Sequence, residues 1–243
     1  MTDSPESAPV RSRRAVAAPS TETVAKTRRK AHSLEPDGRA RKRTRITVKN
    51  EKKIIDAAQN IIAEYGFHGA TIDRVAEQAG MSKPNLHYYF KTKTDLYKAV
   101  LQQTLDIWLA SLAKLDPEGD PETELSTYIA EKVEMSRRHP MASRVFANEI
   151  LRGAPILKDY LRKDLKRLVS QKAKAIERWI EQGKLAPVDP VHLIFLIWAA
   201  TQHYADFQPQ VKAVLGIKEL SPQHFRKVEQ SLCEIILRGV LPR

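Results

Sequence analysis

The chain has a single cysteine, Cys233, in 243 residues. One thiol excludes an internal disulfide and any multi-cysteine metal site, and it suits a chain kept in a reducing cytoplasm. Glycine is scarce: nine residues, spread singly. No Gly-rich phosphate loop, G-x-S-x-G elbow or H-E-x-x-H pair occurs, so the sequence is read as a non-enzyme. Asp159, Asp164 and Glu177 lie among lysines and arginines and read as surface ion pairs. Long apolar runs are lacking too. The densest, VHLIFLIWAA at 191–200, is too short to span a bilayer, and no apolar segment of a secretory signal opens the chain. Strand-like alternation between hairpin turns is absent throughout. His192 and His203 stand eleven residues apart, roughly 16 Å along a helix, too far to share one metal. No metal and no cofactor is expected.

What the sequence has is positive charge, 41 Lys+Arg against 29 Asp+Glu. Such an excess favours nucleic acid or an anionic membrane surface as partner. Residues 1–49 hold thirteen of the basic and five of the acidic residues, so eight of the twelve net charges sit there. Residues 1–45 are rich in Ser, Thr, Pro, Ala and Arg and poor in large apolar groups, which predicts a disordered basic extension. Its RARKRTR cluster at 39–45 reads as an arm on DNA backbone, or as a solubilising tail. It lacks the apolar face that membrane attachment requires.

From Asn50 onward the pattern is helical. Ile54, Ile55, Ala58, Ile61, Ile62 and Tyr65 form one stripe, closed by Gly66. Thr71 caps a short helix with Ile72, Val75, Ala76 and Ala79 inward, closed by Gly80. Ser82 caps a third, with Pro84 tolerated in its first turn. Thr92 or Thr94 starts a long fourth helix. After the break DPEGDPE at 116–122, helices are predicted at about 122–138, 141–152, 156–182, 189–207 and 221–238. The fold class is all-α: a helix-turn-helix domain at 46–92, then a larger helical domain at 93–243 for effector binding and dimerisation.

A helix, a tight turn at Gly80, and a capped helix showing polar and aromatic groups make a helix-turn-helix. Ser82, Lys83, Pro84, Asn85 and His87 occupy the start of the second helix, the end that enters a major groove. Asn reads adenine in a bidentate way, while Lys serves guanine or phosphate. Tyr88 and Tyr89 offer hydroxyls to phosphate oxygens, Lys93 is a candidate phosphate clamp, and Thr71 at a helix N-terminus is another phosphate ligand. Structural alternatives stand beside these: Thr71 and Ser82 as plain caps, Tyr88 as core and Lys93 as a solvated charge.

The segment resembles the DNA-binding domain of the TetR family through Tyr65-Gly66, Gly69, Thr71-Ile72, Val75-Ala76, Ala79-Gly80-Met81-Ser82, Leu86, Tyr88, Phe90, Lys93 and Leu96. That resemblance implies a nine-helix fold and a homodimer through the last two long helices, at about 189–207 and 221–238. It also implies a palindromic double-stranded operator, a small-molecule effector, and repression as the default sign of control. Pro84 and His87 depart from the family's usual recognition helix, which leaves the operator sequence open.

Within the family, KLAPVDPVHLIFLIWAATQHYADFQPQV at 184–211, MSRRHPMASRVF at 135–146 and RGAP at 152–155 are similar to the RutR-type regulators of pyrimidine utilisation. This implies uracil or thymine as effector. A flat ring with two N–H donors and two carbonyl acceptors asks for a π-face and a group that both donates and accepts. Trp198 and Gln202, four residues apart on one helix face, supply both. Phe146, Arg144 and Glu149 are further candidates for the pocket wall. As alternatives, Trp198 is core and Gln202 belongs to the dimer seam. At the level of function, the alternatives are a family member answering to a different small molecule, and an effector-independent basic DNA-binding protein.

Overall fold

Helix α1, Arg45–Gly69, opens the described part of the chain in the computed structural model, which covers residues 45–242. Apart from Arg45, the expected disordered extension lies outside these residues. Gly66 takes φ +69° and ψ 172° and breaks the helix there, leaving one turn beyond it. Only a residue without Cβ holds that conformation cheaply. Thr71 then caps α2, Ile72–Gln78, and Ser82 caps α3, Lys83–Tyr89, each accepting a backbone N–H from its own first turn. Gly80, at φ +60°, makes the turn between them. Thr92, not Thr94, caps α4, Lys93–Lys114, in a reciprocal box with Asp95.

The larger domain follows. Helices α5, Pro121–Arg138, and α6, Pro140–Leu151, are separated by His139. Lys158–Tyr160, a π-helical segment Leu161–Leu165 and Lys166–Glu181 run on as α7. Helix α8, Pro190–Asp206, is started by Asp189, whose carboxylate accepts from the Val191 and His192 N–H groups. Helix α9, Gln208–Leu215, is an element that the expected nine helices omit, and it brings the described count to ten. Pro209 sits in its first turn, where a missing N–H costs nothing. Helix α10, Pro222–Val240, closes the chain. No strand occurs among the described residues.

Two apolar cores organise these helices. The first joins Ile54, Ala58, Val75, Ala79, Leu86 and Phe90 to Tyr97, Leu101 and Leu105 of α4, and extends to Val145, Ala154 and Leu157. The second joins Leu112, Leu125, Ile129, Ile176, Trp179, Ile194, Ile197 and Leu237. Helix α4 contributes to both, and α6 packs against both α1 and α8. The two cores are thus mechanically joined.

Candidate nucleic-acid interface and effector site

The reading helix α3 is held by Leu86 and Phe90, both buried in the first core. This leaves the side chains of Ser82, Lys83, Pro84, Asn85 and Tyr88 in solvent. Asn85 lies on the exposed first turn; its backbone N–H is used by the Ser82 cap at 3.4 Å, and its carboxamide makes no hydrogen bond to another described residue. Lys83 pairs with Asp73 at 2.9 Å across the turn. Both groups are exposed, so the pair is weak and readily exchanged for a phosphate or a base.

Tyr88, 62 % exposed, stands edge-on to Tyr89. The Tyr89 hydroxyl accepts a hydrogen bond from Asn50 Nδ2 at 2.9 Å, which ties α3 to the start of α1. His87 is half-buried. Thr71 Oγ1 accepts from the Arg74 N–H at 3.3 Å. Lys93 Nζ donates to the His68 carbonyl at 3.3 Å and lies 4.6 Å from the Phe67 ring centre. Asn50 is not among the expected site residues, because its bond to Tyr89 spans 39 residues and local spacing cannot show it.

The expected effector residues divide into separate groups. Trp198 Nε1 donates to Tyr128 Oη at 2.5 Å and packs against the second core. Gln202, one turn on, is half-buried and makes no side-chain hydrogen bond to another described residue. Arg144 reaches toward the end of α8, donating to the Ala205 carbonyl at 3.3 Å and to Gln208 Oε1 at 2.9 Å. Its neighbour Ser143 donates to Asp206.

Phe146 and Glu149, expected on the pocket wall, face the first core instead. Phe146 packs with it. Glu149 is fully buried and accepts three hydrogen bonds, from Tyr97 Oη at 3.0 Å and from the Ile156 and Leu157 N–H groups at 2.6 and 3.2 Å. A buried carboxylate engaged in three such bonds fastens a loop to α4 and is turned away from Trp198 and Gln202 toward the first core. The reason is geometric. Ser143 and Arg144 leave α6 on the side facing α8, whereas Phe146 and Glu149 leave it toward α1 and α4.

The structure also exposes a polar line that periodicity alone left unassigned. Tyr128, Lys132 and Ser136 recur at four-residue spacing on α5, so they share one face. Tyr128 meets Trp198, Ser136 Oγ donates to the Thr201 carbonyl at 2.8 Å, and Lys132 lies between them. Burial pushes the Lys132 ammonium well below the usual lysine range, an effect opposed by the Asp206 carboxylate. Burial likewise raises Asp206, while Ser143, Arg144 and Lys132 pull it back. The four-residue spacing of a tyrosine, a lysine and a serine was the available signal.

The comparisons agree with this architecture. Residues 54–100 match the model of bacterial regulatory proteins of the tetR family, and 101–243 match the C-terminal region of YcdC-like proteins, TetR_C_3. The chain belongs to the TetR family of DNA-binding transcriptional regulators. It is 48% identical over 202 residues to the HTH-type transcriptional regulator RutR of Escherichia coli K12, covering 83% of this chain and 95% of that protein. The fold is shared with the ketosteroid transcriptional regulator KstR2 of Mycobacterium tuberculosis, at TM-score 0.65 and 18% identity, over 79% of this chain and 95% of that one. It is also shared with AibR in complex with isovaleryl coenzyme A and operator DNA, at TM-score 0.62 and 15% identity, over 76% and 97%. TetR-family regulators bind operators and small molecules, typically as dimers, and are not enzymes. No helix among the described residues is long and apolar enough to cross a membrane.

Proposed function

We propose that the protein is a repressor of pyrimidine-utilisation and related nucleotide genes, released from a palindromic operator by uracil or thymine. The observation that carries this reading is the pairing of a fixed indole with a free carboxamide. Trp198 is locked by Tyr128, and Gln202 stands one turn away with its donor and acceptor unspent. A locked ring supplies a stacking face with little entropy to lose, and the carboxamide matches an imide edge that donates and accepts side by side. The extended similarity to RutR supports the same branch of the family.

The homodimer is proposed through α8 and α10. Phe195 and Leu196 on α8 and Ile235 on α10 are large apolar side chains left in solvent by the single chain. An open groove of about 620 Å³ lined by His203, Tyr204, Val211, Val214, Leu215 and His224 lies between α8, α9 and α10.

Calorimetric titration of uracil and thymine into the purified protein tests the effector assignment. Saturable binding to the native chain, lost in Gln202→Ala, is expected. Undiminished uracil affinity in Gln202→Ala removes that residue from the site, and no binding to the native chain refutes the effector.

A further inference from the structure

Lys132 and Glu149 are the buried charged side chains among the described residues, and of the two only Glu149 has hydrogen-bond partners for its charged group. Lys132 is 2 % exposed, and no described acceptor bonds its Nζ. Its ammonium lies 3.7 Å from the centre of the Trp108 ring, a contact that offsets only part of the cost of burying a charge. Trp108 is itself 5 % exposed, and its Nε1–H is buried without an acceptor. A third donor is close by in the fold. Tyr128, one turn before Lys132, accepts from Trp198 and donates to no described residue. Buried donors lacking acceptors are rare in folded proteins, and a group of them points to something absent that accepts. The nearby buried hydroxyls, Ser136 on α5 and Thr201 on α8, are satisfied by main-chain carbonyls. Among the described residues the other buried polar side-chain atom without a partner, Gln59 Oε1 on α1, is an acceptor, so the donor deficit centres on Trp108 Nε1, with the unbonded Lys132 ammonium against its ring.

We propose that Lys132 and Trp108 together bind a carbonyl oxygen of the effector where α5 packs against α4 and α8, Lys132 Nζ leaving the face of the Trp108 ring to share that oxygen with the in-plane Nε1–H. The inference rests on the reading of a pyrimidine base as effector and adds the residues that select it. Trp198 and Gln202 supply a stacking face and one imide edge, and a uracil ring then has a second carbonyl to satisfy. A carbonyl is a better occupant than a carboxylate here. Asp206 already supplies negative charge to Lys132 from the end of α8, and a second full charge would meet that carboxylate in a poorly solvated interior. The arrangement also reaches toward the DNA-binding half. Trp108 is on α4, the helix shared by both cores, so a ligand engaging its Nε1 contacts an element continuous with the domain that carries α3.

The test is uracil affinity in two variants of the full chain. Lys132→Met removes the ammonium and keeps the stem, and it relieves a buried charge, so its melting temperature is expected to equal or exceed the native one. Trp108→Phe keeps an aromatic core residue and deletes the Nε1–H. Uracil affinity is expected to fall about 10- to 100-fold in Lys132→Met and about 5- to 10-fold in Trp108→Phe, the range for losing a charged and a neutral hydrogen bond. Pyrimidin-2-one and pyrimidin-4-one each keep one carbonyl. The one lacking the oxygen bound by Lys132 is expected to bind the native chain and Lys132→Met alike. Native uracil affinity in a folded Lys132→Met variant overturns this proposal and leaves the effector assignment standing. Failure of uracil to bind the native chain overturns both.

Discussion

Glu149 joins the sensor-facing helix α6 to the DNA-binding core, and its replacement has a magnitude that can be worked from the bonds it makes. Glu149→Ala deletes the acceptor for Tyr97 Oη and for the Ile156 and Leu157 N–H groups. Tyr97 is 2 % exposed and Leu157 6 %, so water does not readily replace the lost partner. Each unsatisfied buried donor costs roughly 1–2 kcal/mol, giving about 3–6 kcal/mol for three. A domain of about 200 residues loses roughly 2–4 °C of melting temperature per kcal/mol, so a fall of about 6–24 °C is expected. Tyr97→Phe removes only the hydroxyl and leaves both N–H bonds intact. Its expected cost is about 1–2 kcal/mol, or roughly 2–8 °C. Thermal unfolding followed by circular dichroism, with both variants and their double mutant, measures all three values. The double mutant should be less destabilised than the sum of the two singles, because the Tyr97–Glu149 bond is lost only once. A Glu149→Ala variant melting within about 2 °C of native would refute the latch.

Two further predictions concern DNA. Asn85→Ala, removing the unspent carboxamide at the exposed start of α3, should relax base preference at one position per half-site by about 1–3 kcal/mol; an unaltered preference across a panel of single-base operator variants would take Asn85 out of the readout. Removing residues 1–45 should weaken binding to all duplexes and flatten the dependence of log affinity on log salt concentration; an unchanged slope would leave RARKRTR without a role on the phosphate backbone.

The sequence made the DNA-reading half largely legible because its signals are short-range. Thr71 and Ser82 announce helix starts three residues ahead of the N–H groups they receive. Gly80 marks a turn that only one backbone conformation fits. Helix α9 went unread because Gln208-Pro209 looks like a stop, although proline in a first turn is equally a start. The effector side was less legible for a different reason. Periodicity gives the face of α6 on which Arg144, Phe146 and Glu149 lie, but not which neighbour each face meets. The Tyr97–Glu149 bond spans 52 residues, and Trp198–Tyr128 spans 70. In sequence, Lys132 sits in the charged run AEKVEM and has the look of a surface lysine; only the packing of α4 and α8 over α5 buries it.

The most direct measurement follows an operator duplex, selected from a random pool, by fluorescence anisotropy as uracil is added, with the mass of the complex determined in parallel. The account predicts a complex holding an even number of chains that dissociates as uracil saturates the protein. A single chain bound at full affinity, or a complex indifferent to both uracil and thymine, would contradict it.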